Sequence, residues 1–171
     1  IMRLIGAPNI PAEGRFFPYS YLFAKQSRDV DVLRRAFHAM ARHLEREWEA
    51  RAAGLPYADP QQALIMASIV EKETGRDQER PLIAAVFVNR LRLGMLLQTD
   101  PTVIYGMGER FDGNLRKRDL QPDTPYHTYA RGGLPPTPIA MPGLASLRAA
   151  LHPAQSQALY FVARGDGSSH F

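Results

Sequence analysis

Two carboxylates follow a long apolar run: Glu71 and Glu73 in Glu71-Lys72-Glu73-Thr74, directly after the stretch Ala63 to Val70. On a helix, residues two apart point about 200° from each other, so these two are not a cooperating pair. One is expected to face solvent, pairing with Lys72 or Arg76, while the other faces inward at the end of a buried helix. A carboxyl group against apolar walls has its charged form disfavoured, and its pKa rises. It can then stay protonated near neutral pH and give its proton to a leaving oxygen, the task of a glycosidase general acid. The competing reading is structural, with Glu73 capping loop N–H groups or pairing with Arg90.

Other chemistries lack their residues. With no cysteine in the chain, disulfides, thiol catalysis and Cys-ligated zinc are excluded. The histidines (His38, His43, His127, His152 and His170) form no HExxH helix and show no metal-ligand spacing. There is no GxxxxGK phosphate loop and no GxSxG elbow. Basic residues do not interleave with aromatics as in single-strand nucleic-acid binders, so nucleic acid rests on charge alone and is not expected as a partner. Elimination leaves carboxylate chemistry, with no metal and no cofactor called for.

The elements that must position these groups are mostly helices. Leu33, Phe37, Met40, Leu44 and Trp48 form one face of an amphipathic helix over 29–53, ended by Gly54 and Pro56. Arg34, Arg42, Glu45 and Arg46 lie off that stripe and are read as a solvated face. Asp59-Pro60-Gln61-Gln62 is a helix start, with Asp59 as N-cap, Pro60 at the first position and Gln62 reaching back. The apolar run that follows predicts a helix buried on all sides. A further helix is expected over 80–93, with Leu82, Val86, Asn89 and Leu93 on one side and Gly94 as its stop. Asp100-Pro101 opens a short helix through Ile104 and Tyr105 to Gly106. From Met107 to Pro142 the chain reads as loop, too long to be idle in a compact domain. Leu144, Leu147 and Leu151 mark a last helix, 158–163 a strand, Gly165-Asp166-Gly167 a hairpin turn, and a returning strand begins near His170.

Of 171 residues, 45% are hydrophobic, enough for one sizeable core, and the prior is a single domain. Residues 1–28, with Phe16, Phe17, Tyr19, Tyr21 and Phe23 around Pro18, are expected as an irregular segment, loop and short strand, packed on a core at 29–171. The net charge of +4 suits nucleic acid, an anionic membrane surface or cell wall without choosing among them. No apolar run reaches the ~20 residues of a membrane span. The boundaries at Ile1 and Phe171 suggest a fragment of a longer protein.

Several ordered stretches resemble one known family. Ala67-Ser68-Ile69-Val70-Glu71-Lys72-Glu73-Thr74, Phe87-Val88-Asn89-Arg90-Leu91 and Leu97-Gln98-Thr99-Asp100-Pro101-Thr102-Val103-Ile104-Tyr105-Gly106 are similar to consecutive signatures of the YceG-like endolytic murein transglycosylases, the MltG family. Glu13-Gly14 and Phe17-Pro18 upstream, and Tyr126, Thr128, Tyr129, Gly133-Leu134-Pro135-Pro136 and His152-Pro153 downstream, fit as well. The resemblance runs from about residue 13 to 171. It implies an α+β, mainly helical fold: a lysozyme-like helical catalytic core with long aromatic and Pro/Gly loops and a small β-hairpin near the C-terminus. It also implies that the second Glu of Glu-x-Glu-Thr, here Glu73, is catalytic.

The implied substrate is peptidoglycan, cut between N-acetylmuramic acid and N-acetylglucosamine to leave 1,6-anhydro ends. The implied protein has an N-terminal transmembrane helix and a LysM-like subdomain, both outside this chain. It would sit in the inner membrane with its catalytic domain outside the cytoplasm, beside peptidoglycan synthases (penicillin-binding proteins). Asn89, Gln98 and Asp100 are candidates for holding acetamido and hydroxyl groups, with local capping as their alternative, Asp100 before Pro101 above all. Phe17, Tyr21, Tyr105, Tyr126 and Tyr129 are candidate sugar-stacking walls or core. Two rival readings stay open: a hydrolytic muramidase with Asp100 as second carboxylate, and a non-catalytic peptidoglycan-binding scaffold. Tyr19, His127 and Thr137 depart from a frequent Asp, Asn and Gly of the family, which bears on loop-level substrate preference.

Overall fold

The computed structural model describes residues 1–120 and 124–171; the part of the expected loop at 121–123 lies outside the described residues. The fold is mainly helical, with one small antiparallel sheet. Five α-helices occur among the described residues: α1 (Asp29–Glu49), α2 (Pro60–Glu73), α3 (Arg80–Arg92), α4 (Asp100–Met107) and α5 (Leu144–Leu151). Two short 3-10 turns, Gly108–Arg110 and Lys117–Leu120, interrupt the loop after α4. None of the described helices is long and apolar enough to cross a membrane.

α2 is the axis of the molecule, packed by α1, α3, α4 and α5. Its start is built as its residues dictate: Asp59 accepts from the Gln62 N–H at 2.9 Å, and the Gln62 side chain accepts from the Ala58 N–H at 2.9 Å. Every residue from Ala63 to Val70 is buried. A helix sheathed on all sides has to carry apolar residues on all sides, which is why no amphipathic stripe appears in it.

Where the inward faces lie differs from the sequence pattern in two helices. In α1 the buried positions are Ala36, Met40, Leu44 and Glu47, while Leu33, Phe37 and Trp48 are only half-buried. The small Ala36 lets the N-terminal segment approach, and Phe17 N–H reaches the Ala36 carbonyl at 3.0 Å. Glu47 is accommodated inside because Arg46 and Arg148 of α5 reach it at 2.9 and 3.3 Å. In α3 the block 83–88 is buried throughout, whereas Leu82 is half-buried and Leu93 is 64% exposed at the chain's turn away. Gly94, at φ 67°, supplies the left-handed residue that stops α3.

The segment 1–28 contains no helix or strand. Ile5, Ala7 and Phe17 are buried, but Tyr19, Leu22 and Phe23 are exposed. The hairpin is also shorter than expected: β1 (Val162–Ala163) pairs with β2 (Ser169–His170), Val162 opposite His170. The stretch before β1 spends its backbone on side chains instead. Carbonyls of Ser156 and Ala158 accept from the Asn89 amide at 2.9 and 3.0 Å, and that of Leu159 accepts from Arg90 Nε at 2.7 Å.

Candidate functional site

Glu71 and Glu73 end α2 on opposite sides, and the two sides differ. Glu71 is not the solvent-facing partner of Lys72 or Arg76. Its Oε2 accepts from Arg80 Nη1 at 3.1 Å, from the Ser146 hydroxyl at 2.7 Å and from the Gly143 N–H at 3.0 Å. It therefore serves the N-terminus of α5, where backbone donors lack intrahelical partners and negative charge is favoured. Arg80, 8% exposed, also donates to Asp77 at 2.9 Å.

Glu73 faces a cleft of about 240 Å³ lined by Phe87, Arg90, Leu97, Gln98, Asp100, Tyr129 and Phe161. Its partner among the described residues is a hydroxyl: Thr99 donates to Glu73 Oε1. Burial pushes the Glu73 carboxyl above its usual range and the Asp100 charge adds to this; the Thr99 hydrogen bond and the Arg90 charge pull the other way. Arg90 forms no ion pair with Glu73. Its guanidinium holds the carbonyl of Leu97 at 2.7 Å, that of Leu96 at 3.4 Å and that of Leu159 at 2.7 Å, and lies over the Tyr160 ring at 4.8 Å.

The turn between α3 and α4 delivers the rest of the site. Gln98 adopts φ 51°, a left-handed conformation that is uncommon outside glycine. Its N–H is tied to the Thr128 carbonyl at 3.0 Å, and the Thr99 N–H to the Thr128 hydroxyl at 3.1 Å. The Thr102 hydroxyl donates to the Thr99 carbonyl at 2.8 Å and lies 2.8 Å from the Thr128 hydroxyl. Thr99 is the N-cap residue of α4, so Asp100 stands at the first helical position rather than at the cap. This frees the Asp100 side chain toward the cleft, where Tyr129 donates its phenol proton to Oδ1 at 2.5 Å. Burial pushes the Tyr129 phenol up, and the carboxylates of Asp100 and Glu73 push it further. α4 continues one residue past Gly106. A side chain at Gly106 would collide with Thr124 and Tyr126, as a Cβ there would lie 2.7 Å from the Thr124 hydroxyl.

Of the residues expected at the site, the fold brings together Glu73, Gln98, Asp100 and Tyr129. Asn89 does not line the cleft, because its amide hydrogens are spent on the 156–158 backbone. Tyr105 and Tyr126 do not line it either; they pack edge to face at 4.8 Å, with the Tyr126 hydroxyl 2.8 Å from that of Thr137. Phe17 and Tyr21 line a separate groove with Tyr19, Ala39, His43 and Leu144. Sequence reasoning missed Thr99 and Phe161. Thr99 carried a signal, a hydroxyl immediately before Asp100-Pro101; Phe161 sits in a hydrophobic stretch read simply as strand.

Comparison with known proteins places this architecture. The model of the YceG-like family matches residues 3–171, and the chain belongs to that family. It is 38% identical over 161 residues to a Bacillus subtilis (strain 168) protein named endolytic murein transglycosylase, covering 94% of this chain and 44% of the relative. A Streptococcus pneumoniae D39 protein of the same name is 31% identical over 156 residues, covering 88% of this chain and 28% of that one. A crystal structure of a yceG-like protein from Listeria monocytogenes superposes with a TM-score of 0.79 at 36% identity, covering 92% of this chain and 51% of that one. The chain thus spans about half or less of the length of the relatives it matches.

Proposed function

We propose that this chain is the catalytic portion of a lytic transglycosylase that cuts the β-1,4 bond between N-acetylmuramic acid and N-acetylglucosamine within peptidoglycan strands. The observation that carries it is Glu73: one carboxyl group at the end of a helix buried throughout from Ala63 to Val70, raised in pKa, facing a cleft and with no ion pair among the described residues. The relatives named endolytic murein transglycosylase support the substrate class. In the same reading, the helical core is lysozyme-like and residues 1–171 form one catalytic unit.

In this mechanism Glu73, protonated, gives its proton to the glycosidic oxygen, and the bond from that oxygen to C1 of the muramic sugar breaks. Positive charge develops at C1. The C6 hydroxyl of the same sugar attacks C1, and its proton passes to the now anionic Glu73. The product is a 1,6-anhydro end, and Glu73 is restored. Intramolecular attack replaces a second-order step with water. Gln98, Asp100 and Tyr129 are positioned to hold polar groups of the sugars, and Phe161 offers an apolar wall.

Asp100 shares the cleft, so hydrolysis has a candidate second carboxylate; the Tyr129 hydrogen bond already occupies one of its oxygens. Murein lies outside the cytoplasmic membrane, which suits a membrane-anchored protein with this part on the outer side, working beside penicillin-binding proteins. Mass spectrometry of glycan strands digested by the wild type and by Glu73→Gln tests the reaction. Anhydro-muramic ends that vanish with Gln are expected. Reducing ends would establish the hydrolase, and cleavage surviving in Glu73→Gln would remove Glu73 from the chemistry.

A further inference from the structure

Glu73 has two oxygens, and among the described residues one of them, Oε1, has a partner. The Thr99 hydroxyl has a single proton, and it is donated to Glu73 Oε1. A protonated carboxyl accepts hydrogen bonds at its carbonyl oxygen far better than at its hydroxyl oxygen. Occupying Oε1 therefore leaves the acid proton on Oε2.

Thr99 is held for this with unusual completeness. Its N–H is taken by the Thr128 hydroxyl at 3.1 Å and its carbonyl by the Thr102 hydroxyl at 2.8 Å. Thr99, Thr102 and Thr128 are 2%, 0% and 3% exposed. The preceding Gln98 is bent to φ 51° to enter this arrangement, and its N–H is pinned to Thr128 as well. Backbone strain retained by surrounding contacts is a mark of functional turns. Here two threonines hold the backbone of a third, whose hydroxyl points at the candidate acid.

We propose that Thr99 is a positioning residue for Glu73, assigning the proton to Oε2 and stabilising the anion left on the carboxylate once that proton has gone. The inference rests on the proposed transglycosylase reading for its consequence in turnover, but not for the link between the two side chains. In the acid step the Thr99 bond strengthens as charge grows on Glu73, since hydrogen bonds to ionised groups are about twice as strong as neutral ones. In the base step the same bond keeps the carboxylate aimed at the C6 hydroxyl.

The other charged or titratable groups around Glu73 are Asp100 of α4, Arg90 of α3 and Tyr129 of the following loop. Each of them is retained in a Thr99 variant. Removing its hydroxyl therefore takes away a force that lowers the Glu73 pKa and leaves burial and Asp100, which raise it.

The test is made on the full chain with Thr99→Val, Thr99→Ala and Thr99→Ser, the Ala variant serving where Val disturbs packing. Val and Ala are expected to lower kcat on murein glycan strands roughly ten- to a hundredfold with little change in KM, as loss of a hydrogen bond to a charged group predicts. They should also move the basic limb of the pH profile to higher pH, while Ser restores both. A carboxyl-labelled Glu NMR titration follows Glu73 directly and needs no turnover; its midpoint should rise in Val and Ala and return in Ser. An unmoved Glu73 midpoint in folded Val and Ala variants would overturn the proposal, whatever the activity. A wild type that titrates as described but cleaves nothing would instead sink the transglycosylase reading and leave the Thr99–Glu73 link standing.

Discussion

The two sides of the α2 C-terminus hold carboxylates two residues apart and treat them in opposite ways. On one side Glu71 meets a guanidinium, a hydroxyl and a backbone N–H, all aimed at one oxygen. On the other, Glu73 receives one neutral hydroxyl and faces open space beside another carboxylate. A carboxylate that completes a helix terminus and neutralises a buried arginine is a structural part. A carboxyl group denied those partners and buried beside another carboxylate is raised in pKa, and under the proposed function its proton is the one given to the substrate. Identical side chains in one turn of helix thus meet different surroundings: donors at Glu71, burial and a neighbouring carboxylate at Glu73.

The comparison breaks most sharply at Glu73. Glu73→Gln should cut turnover at least a hundredfold, the lower range of general acid–base contributions, without loss of folding. Because the folded state raises the Glu73 pKa, its contribution to stability is full below the unfolded carboxyl value and is lost as pH rises through the folded value. Gln never ionises. Calorimetry at pH 8 should therefore find Glu73→Gln melting at or above wild type, with the advantage gone in acid. Were the variant to melt lower at pH 8, Glu73 would belong with Glu71.

Glu71→Ala should do the reverse. It leaves Arg80 with the exposed Asp77 as its remaining carboxylate and bares the N-terminus of α5. Denaturant titration is expected to show a loss of about 1–3 kcal/mol, as when a partner is taken from a buried polar group. The fraction that remains folded should turn over normally. A smaller change sharpens the electrostatic side: Asp100→Asn removes a charge that raises the Glu73 pKa, so the basic limb of the pH-rate profile should move to lower pH. A limb that stays in place would show Asp100 to be electrostatically idle. The smallest effect is at the turn feeding the cleft. Gln98→Gly should hold its melting temperature, whereas Gln98→Val should lose about 1–2 kcal/mol, because a β-branched residue fits φ 51° poorly.

What could be read in advance was local. Asp59, Pro60 and Gln62 announce the start of α2 because a cap is made by neighbours in sequence. Gly94 announces the end of α3, and the buried run 63–70 announces that α2 lies at the centre. The fates of the two carboxylates depended on distant partners. Glu71 is claimed by Arg80, 9 residues on, and by Ser146, 75 residues on, which no spacing within the motif encodes. Asn89 looked available for sugar, yet its donors close on carbonyls 67 and 69 residues away. That same capture left 158–161 without strand partners and shortened the hairpin. The stripe assigned to α3 was misplaced because 83–88 is covered on every side, which erases periodicity. Asp100 had two legible roles, and the outcome turned on one residue of register: with Thr99 as the N-cap, Asp100 was released to the cleft.

Apart from lying over the Tyr160 ring, Arg90 joins three pieces of chain through their backbone. It grips carbonyl oxygens of the 96–97 turn and of Leu159, and every residue type carries such an oxygen. Its planar fork, with donors in fixed directions, suits this task in a way a lysine ammonium does not. Sequence drift in the two gripped strips therefore leaves the carbonyl grip intact, so the walls of the cleft are free to be revised for new ligands while its frame stays put. One guanidinium gives this site a rigid chassis with exchangeable panels.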